Sequence, residues 1–467
     1  MEEFEYKGLW WLPQSPDHQV AGTLKFHPVD GAVLETTGDT LIRQDGVIET
    51  ICGYTNKGDP VTLWKCIRSG ETWAVGYVSS TYQVHVIFIG CHFEKYEDIV
   101  FDSISIRYTY LEQWFGISGF SSDFKFSEKG ERIGTEISYK LPERFESRID
   151  NLNIAFYHRH RVVGDQFVDF HMNQATYVEI TPDQPMHYND FQEDVIYHLR
   201  NFLSLGTGSA ILPIVIIGKN KNCTMKISEN ESVPRDVYIF YNPQGSILEE
   251  KRKIHPSEKL FYFQDIADNF QTHLQNWFNK AEKLLPVFDL YFGIFYIPSM
   301  YIHLEFITLA QALETYHRRM YGGVYMPAEQ YEPIRKALNE AIPTGLDDSH
   351  RSSIKHKIQY GYEYSLRTRL KHILKNVLAP YQQIVDRLIG NHGEFIGQLV
   401  DTRNYLTHYT EELEKVAITD PQKQYAFVQK MKLLIQLCFL VELDLPAETV
   451  NKLTTDNRKF QFWSRKM

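Results

Sequence analysis

The spacing of hydrophobic and polar positions changes about halfway along the chain. Up to about residue 245, short apolar or β-branched runs are separated by turn signals such as Asp30-Gly31 and Asp45-Gly46. Their recurrence every roughly 10–15 residues predicts an antiparallel β-sandwich or barrel. The runs are Val20–Phe26, Ala32–Glu35, Val47–Cys52, Pro60–Cys66, Thr72–Val78, Val84–Phe93, Ser103–Trp114, Ile133–Leu141, Leu152–Arg161 and Ala175–Ile180.

The end of this half departs from the alternating pattern. Residues 190–205 have helical spacing, and the apolar run Ile211–Ile217 predicts one buried strand. The polar segments Lys219–Arg235 and Asn242–Lys253 predict loops. We therefore expect a domain boundary near residue 250.

From Pro256 onward the apolar residues recur at helical spacing. This pattern predicts an all-α bundle over residues 251–467, after a β-rich domain over residues 1–250. The expected fold class is α+β with two domains, and Gly345–Tyr362 has no clear assignment. The predicted helices are Phe263–Leu284, Tyr301–Tyr321, Pro327–Ala341, Ser365–Leu378, Tyr381–Ile389, Phe395–Tyr409 and Gln422–Val441.

Composition limits the class of protein. The 467 residues are 43% hydrophobic and carry a net charge of −10, which argues against a protein that coats nucleic acid but allows a local basic groove. The five cysteines form no C-x-x-C pair and suggest neither a zinc site nor a disulfide framework. The acidic N-terminus lacks signal-peptide features, and Leu284–Met300 is too interrupted to span a bilayer. We expect a cytoplasmic protein with no membrane association.

Three polar residues stand out in the predicted helix Phe395–Tyr409. Arg403 continues an apolar stripe, where a permanent charge is costly unless an anion meets it. Asn404 and His408 lie on the neighbouring line of the same helix. The stripe consists of Phe395, Leu399, Arg403 and Leu406, and the neighbouring line consists of Val400, Asn404 and His408. A structural helix with ordinary capping bonds is the alternative interpretation.

The R-x4-H spacing of Arg403 and His408 is weak evidence by itself, since it occurs four times in one region. Only Arg403 lies on an apolar helix stripe and is followed by a polar amide. The other matches fall in a basic segment or beside glycines, where a solvated surface or a loop is expected. They are Arg351/His356, Arg367/His372 and Arg387/His392.

Cleavage of RNA without a metal would use these residue types. The 2′-hydroxyl of RNA can attack the adjacent phosphorus if one group takes its proton, another protonates the leaving 5′-oxygen and a cation stabilises the phosphorane. Histidine suits proton transfer near neutral pH, and arginine presents a planar fork of donors to phosphate. One helix supplies one histidine, so this mechanism predicts a homodimer in which two copies of His408 share a cleft.

Two further features could support RNA cleavage. The segment His350–Asn376 is basic, with one acid, Glu363, and interleaved tyrosines, which fits a track for single-stranded RNA or a solvated helix face. Glu314 and Arg318 have i, i+4 spacing and form by default an ordinary ion pair, although Glu314 could instead hold Arg403 or His408. The candidate RNA-binding residues are Lys355, Lys357, Arg367, Arg369 and Lys371.

The chain resembles a known family in both halves. Arg403-Asn404-x3-His408, late in a helical bundle, is similar to the R-x4–6-H signature of HEPN domains. Its context Leu399–His408, with Leu313-Glu314 upstream, resembles the HEPN branch of ApeA-type anti-phage proteins. Four stretches of the first half resemble the ApeA N-terminal domain in order and spacing: Gly8–Pro13, Val20–Leu24, Ile51–Thr55 and Val61–Leu63.

This resemblance implies a metal-independent endoribonuclease of bacterial abortive infection, without cofactors. It implies cleavage of host RNA, such as tRNA, after a phage-derived trigger. The products would carry 2′,3′-cyclic phosphate and 5′-hydroxyl ends. The catalytic residues carried over are Arg403 and His408, assisted by Asn404, with Glu314 and Arg318 in support. The N-terminal domain would sense the trigger or restrain the nuclease activity.

Two other classes of function remain open. A catalytically silent HEPN-type module would bind RNA or a protein partner and dimerise. A metal-dependent nuclease is disfavoured because no acidic cluster has ligand spacing.

Overall fold

The computed structural model describes residues 1–42, 46–74, 77–165, 167, 169–228, 231–242, 254–297 and 299–464. The chain forms two compact units, Met1–Gln275 and Asn276–Met467. The boundary expected near residue 250 lies outside the described residues. Residues 254–275 belong to the first unit, so its division from the second falls later in the chain.

The first unit is rich in antiparallel strands, which confirms the predicted fold class for this half. The strands are β1 (Phe4–Trp11), β2 (Val20–His27), β3 (Gly31–Thr37), β4 (Val47–Thr55), β5 (Pro60–Ala74), β6 (Tyr77–Ile89), β7 (Val100–Phe101), β8 (Ser103–Tyr108), β9 (Phe120–Phe126), β10 (Arg132–Tyr139), β11 (Phe145–Ile149), β12 (Leu152–Asp165), β13 (Asp169–Pro182), β14 (Met186–His187), β15 (Pro213–Ser228) and β16 (Glu231–Tyr241).

Six of these strands close into a barrel. The order runs from β6 through β3, β2, β1 and β4 to β5, and the far edge of β5 pairs back with β6. Trp10 is fully buried in the barrel, where a Cβ atom at position 53 would lie 2.3 Å from its ring. Gly53 therefore leaves the space that the indole fills. The interior also contains Val20, Leu24, Phe26, Leu34, Ile51, Leu63, Tyr82 and Ile87.

Strand β6 also belongs to an open sheet. Its residues Val86 to Ile89 pair with β16, and the sheet continues through β15, β8, β13 and β12 to β11. An aromatic cluster packs in this part of the unit, with Trp114 in contact with Phe156 and Phe202. Helices supply several of its members. The helices of this part are α1 (Leu111–Phe115), α2 (Tyr188–Asp190), α3 (Tyr197–Thr207), α4 (Phe263–Ile266) and α5 (Phe270–Asn279), which ends in the second unit.

Three predictions for the first unit were wrong. Lys219–Arg235 is not a loop, because β15 and β16 pair through it while Lys219 and Lys221 point to solvent. An exposed strand with polar side chains contains no apolar run, so the hydrophobic pattern does not predict it. Ser103–Trp114 ends as a strand at Tyr108, and α1 follows Tyr110, whose φ of 61° breaks the extended backbone. Thr72–Val78 is divided between β5 and β6, with residues 75–76 outside the described part.

The cysteine prediction also needs correction. Cys91 and Cys223, 132 residues apart in sequence, form a disulfide. Cys91 follows β6 and Cys223 lies in β15, and the sheet brings these positions together although no local spacing connects them. Cys52, Cys66 and Cys438 are free and buried.

The second unit is helical, as predicted. Gly345–Tyr362, for which the sequence predicts no clear element, contains α9. The predicted helix Phe263–Leu284 comprises α4, α5 and the start of α6. No described helix is long and apolar enough to cross a bilayer. The helices are α6 (Ala281–Gly293), α7 (Ile302–Tyr321), α8 (Ala328–Glu340), α9 (Asp348–Gln359), α10 (Leu366–His372), α11 (Gln382–Ile389), α12 (His392–His408), α13 (Glu411–Glu414), α14 (Pro421–Glu442), α15 (Ala447–Asp456) and α16 (Arg458–Trp463).

The core of this unit lies between α6, α7 and α14. Phe439 of α14 stacks on Phe292 of α6, with ring centroids 5.7 Å apart. Glu442 is buried at the end of α14, where its carboxylate accepts a hydrogen bond from Tyr316 and pairs with Lys280. This core fixes α7, which carries Glu314 and Arg318 on its outer side.

Candidate active site

Three helices position the residues singled out in the sequence. α7, α10 and α12 pack against one another in pairs. The amino end of α12 is capped by Asn391, whose side chain accepts a hydrogen bond from the backbone N–H of Glu394. The helix ends at Tyr409, which adopts a left-handed conformation with φ of 52°. Arg403 and Asn404 therefore lie in the last turns of a capped helix, and His408 is its final residue.

The buried face of α12 carries Thr402 where the predicted stripe has Arg403. Phe395, Leu399, Thr402 and Leu406 are buried, whereas the Arg403 side chain is 37% exposed. The expectation that Arg403 continues the buried stripe is thus wrong, because Thr402 fills that place. Arg403 lies at the border between the core and solvent, where its charge costs less to desolvate.

Two side chains hold the Arg403 guanidinium. Its Nη2 lies 3.6 Å from Oε2 of Glu314 on α7. Its Nη1 donates a hydrogen bond of 3.1 Å to Oδ1 of the neighbouring Asn404. The carboxylate is 22% exposed, so this ion pair is only partly screened by water. Together the two contacts restrict the arginine while part of its donor fork stays open to solvent.

His408 is exposed at the carboxyl end of α12. It lies four residues after Asn404, so the two side chains are neighbours on one helix face. No described residue forms a hydrogen bond with its imidazole. Asn404 therefore borders both the arginine and the histidine, and the imidazole is open to an incoming group.

Glu314 contacts a second arginine. Nη2 of Arg318 lies 3.4 Å from Oε1 of Glu314, one turn away on α7. The i, i+4 pair expected from the sequence is present, and the same carboxylate also reaches Arg403. Glu314 therefore connects α7 to α12.

The basic residues of the segment His350–Asn376 do not share one environment. Lys355 and Lys357 are exposed on α9, and Lys371 is exposed on α10. Arg367 is partly exposed, and its Nη2 lies 3.4 Å from Oδ1 of Asp401 on α12. Asp401 was not singled out in the sequence, because a lone acid on a helix carries no signal of a partner on another helix.

Arg369 is not a surface residue, which contradicts its place among the candidate RNA contacts. It is 1% exposed, and its guanidinium donates hydrogen bonds to the backbone carbonyls of Gly322, Gly323 and Tyr364. Burial lowers the pKa of Arg369 below its ordinary value. Its charge serves to hold two loops together.

The neighbouring match Arg367/His372 is divided between two environments. Arg367 turns toward Asp401, whereas the His372 ring packs at 4.9 Å against the ring of buried His317. Burial, with His372 and Arg369 nearby, lowers the pKa of His317 to about 4. Equal spacing in sequence therefore does not make this pair equivalent to Arg403 and His408.

No group of three His, Cys, Asp or Glu side chains among the described residues is placed to hold a metal ion. The candidate site therefore consists of Arg403, Asn404 and His408 on α12, with Glu314 and Arg318 behind the arginine. This set offers phosphate-binding donors and an imidazole for proton transfer.

A helical unit with such a set at the end of a long helix defines a HEPN-type protein. The family model for the ApeA-like HEPN matches residues 307–449, which include all five residues of the site. The model for ApeA N-terminal domain 1 matches residues 5–277. The chain belongs to the ApeA family of HEPN proteins. No curated protein and no solved structure matches it significantly.

Membership of this family supports a nuclease role in anti-phage defence in general terms. HEPN domains usually act as ribonucleases, and they commonly bind RNA and dimerise.

Proposed function

We propose that this protein is a metal-independent endoribonuclease whose active site is formed by Arg403, Asn404 and His408. The observation that carries the proposal is the partly exposed Arg403 side chain, held by Glu314 at 3.6 Å and by Asn404 at 3.1 Å, with the exposed His408 at the end of the same helix. A guanidinium fixed on one side keeps donors free for a phosphate on the other.

The reaction balances with these groups and one further proton donor. A neutral imidazole takes the proton of the RNA 2′-hydroxyl, whose oxygen attacks the adjacent phosphorus. Arg403 stabilises the charge that develops on the phosphorane oxygens. The bond to the 5′-oxygen breaks as an acid protonates that oxygen. The products are a 2′,3′-cyclic phosphate and a 5′-hydroxyl.

The proton donor for the leaving oxygen is the reason to propose a homodimer. Each copy of α12 supplies one imidazole, and two copies of His408 across a twofold axis would supply one base and one acid. The exposure of His408 at a helix end supports this arrangement, because a buried imidazole could not meet its counterpart.

We propose that exposed lysines of the helical unit bind the RNA. Lys355, Lys357 and Lys371 are free to contact backbone phosphates, and Arg367 is partly exposed beside Asp401. Arg369 is withdrawn from this set because it is buried.

The biological setting is the final part of the proposal. We propose that the protein cuts host RNA such as tRNA in the cytoplasm, in abortive infection set off by a phage-derived trigger. Family membership supports the role in anti-phage defence. We propose that the β-rich N-terminal domain senses the trigger or restrains activity. The HEPN domain cleaves the RNA.

A silent HEPN-type module that binds RNA or protein is the second candidate. The observation that favours it is that no described residue orients the His408 imidazole by a hydrogen bond. A general base usually has such a partner.

The test is incubation of the purified protein with total RNA in EDTA. The His356→Ala variant is a matched control, since His356 is an exposed histidine of an R-x4-H pair on α9. We expect the wild type and His356→Ala to cleave and His408→Ala to fail, with cyclic phosphate on the products. Cleavage that needs added metal, or that persists in His408→Ala, would reject the mechanism. RNA binding without cleavage would favour the silent module.

A further inference from the structure

A row of alternating charges leads from the interior of the helical unit to Arg403. Its inner end is Arg369, whose Nη2 lies 3.9 Å from Oε2 of Glu363. The same Oε2 accepts a hydrogen bond of 2.5 Å from Nη1 of Arg318. Arg318 then reaches Glu314, and Glu314 reaches Arg403. Each charge in the row has an opposite charge as its neighbour.

The inner part of the row is fixed to the backbone. Arg369 is buried and donates to carbonyls of the turn after α7 and of the segment before α10. These two segments also pair with each other, since Tyr364 N–H donates to Gly323 and Tyr325 N–H donates to Tyr362. Glu363 therefore stands on a rigid base. Its position in the sequence as the only acid of a basic segment is the signal that could have drawn attention to it.

The two oxygens of Glu314 serve different arginines. Oε1 lies 3.4 Å from Arg318 and Oε2 lies 3.6 Å from Arg403. Arg318 has its shorter contact with Glu363, and this hydrogen bond raises the pKa of Arg318 above its ordinary value. Without Glu363, the fork of Arg318 would be free to take both oxygens of Glu314, which lies one turn away on the same helix.

We propose that Glu363 is a positioning residue for Arg403: it engages Arg318 and so keeps one oxygen of Glu314 available to hold the Arg403 guanidinium. The effect on cleavage rests on the proposed function, whereas the effect on the position of Arg403 does not.

The competing explanation is that Glu363 only balances the buried charge of Arg369. Two variants separate the explanations. Glu363→Gln removes the charge at nearly constant shape. Arg318→Gln removes the arginine that competes with Arg403 for Glu314. In that variant, Glu363 can no longer influence Arg403 through Arg318. The matched control is Glu332→Gln, which breaks a partly exposed Glu–Arg pair with Arg335 on α8.

The first measurement is the rate at which phenylglyoxal modifies Arg403 in the full-length protein, followed by peptide mass spectrometry. We expect Glu363→Gln to raise this rate about two- to fivefold, as expected for loss of one partly exposed ion pair. Adding Arg318→Gln to Glu363→Gln should return the rate to the wild-type value. Glu332→Gln should leave the rate unchanged.

An unchanged rate in Glu363→Gln overturns the inference, and so does a raised rate that Arg318→Gln fails to reverse. If Glu363→Gln does not fold, as judged by circular dichroism, Arg318→Gln alone decides the matter. Its Arg403 should react no faster than in the wild type, because Glu314 is then fully available, and a faster reaction would reject the proposal.

The second measurement is RNA cleavage. Glu363→Gln should lower kcat roughly 10- to 100-fold with little change in KM, because a displaced guanidinium stabilises the transition state poorly. The double variant Glu363→Gln/Glu314→Gln should be no slower than Glu314→Gln alone. An unchanged kcat in Glu363→Gln rejects the inference. If the wild type cleaves no RNA, the proposed function fails, and the phenylglyoxal measurement still decides whether Glu363 positions Arg403.

Discussion

The hydroxyl of Thr402 accepts a hydrogen bond of 2.9 Å from the backbone N–H of Ile418, and both atoms are buried. This bond connects the second half of α12 to the segment that precedes α14. Thr402→Val keeps the shape of the side chain but leaves the Ile418 N–H without an acceptor. We expect a loss of about 1–3 kcal/mol in the free energy of unfolding, measured by urea denaturation.

The control for this prediction is Thr407→Val on the same helix. The Thr407 hydroxyl donates to the carbonyl of Arg403, but the residue is exposed and water can replace the bond. Its stability should change by no more than about 0.5 kcal/mol. Equal losses in the two variants would mean that the buried Thr402 hydrogen bond contributes no more to stability than the exposed Thr407 bond.

Arg403→Lys tests the shape of the cation. Lysine keeps the charge but offers no planar fork that could contact Glu314, Asn404 and a phosphate at once. We expect kcat for RNA cleavage to fall about 100-fold, the size of loss typical of one missing transition-state donor. The measurement is a single-turnover rate, with Arg387→Lys on α11 as the control. A lysine variant as fast as the wild type would show that charge alone suffices.

The exposed lysines should act on binding rather than on chemistry. Replacing Lys355 and Lys371 by alanine should raise KM for RNA and reduce the dependence of binding on salt concentration, with kcat nearly constant. Lys336→Ala, an exposed lysine on α8, is the control. If the control weakens RNA binding equally, α9 and α10 hold no particular track.

Buried His317 predicts a loss of stability in acid. Its pKa is lowered to about 4, while an unfolded histidine titrates near 6.5. The unfolded state therefore binds the proton first, so stability is complete above about pH 6.5 and falls until the pH reaches about 4. Between pH 7 and pH 5 the loss should be about 2 kcal/mol.

His317→Gln should remove this dependence while leaving an acceptor for Arg369, whose Nη1 lies 3.2 Å from the imidazole Nδ1. The free energy of unfolding of the two proteins, measured in urea at pH 7 and pH 5, gives the difference directly. Equal losses of stability in the wild type and the variant would mean that a group other than His317 causes the acid sensitivity.

The sequence located α12 and its polar residues but not the rotation of the helix. Residues 402 and 403 both fit the spacing of an apolar stripe, and the pattern of apolar residues alone predicts Arg403 on it. Thr402 takes the buried place because its hydroxyl finds the N–H of Ile418, a partner 16 residues away. Periodicity along one helix contains no information about such a partner.

Arg369 shows the same limit for charge. A basic, tyrosine-rich segment predicts a solvated surface, and Lys355 and Lys371 agree with that interpretation. Arg369 is buried because three backbone carbonyls, from Gly322, Gly323 and Tyr364, accept its donors. Carbonyl groups are common to all residues, so the sequence gives no sign of where three of them converge.

Strand β6 has a consequence for how the first unit unfolds. Residues 79–84 of this strand pair with β3 of the barrel and residues 86–89 pair with β16 of the open sheet, while its other edge is bonded to β5. Opening either half would remove hydrogen-bonded neighbours from a strand that the other half also needs. Barrel and open sheet should therefore exchange their backbone amide protons as one cooperative body, with a single melting transition.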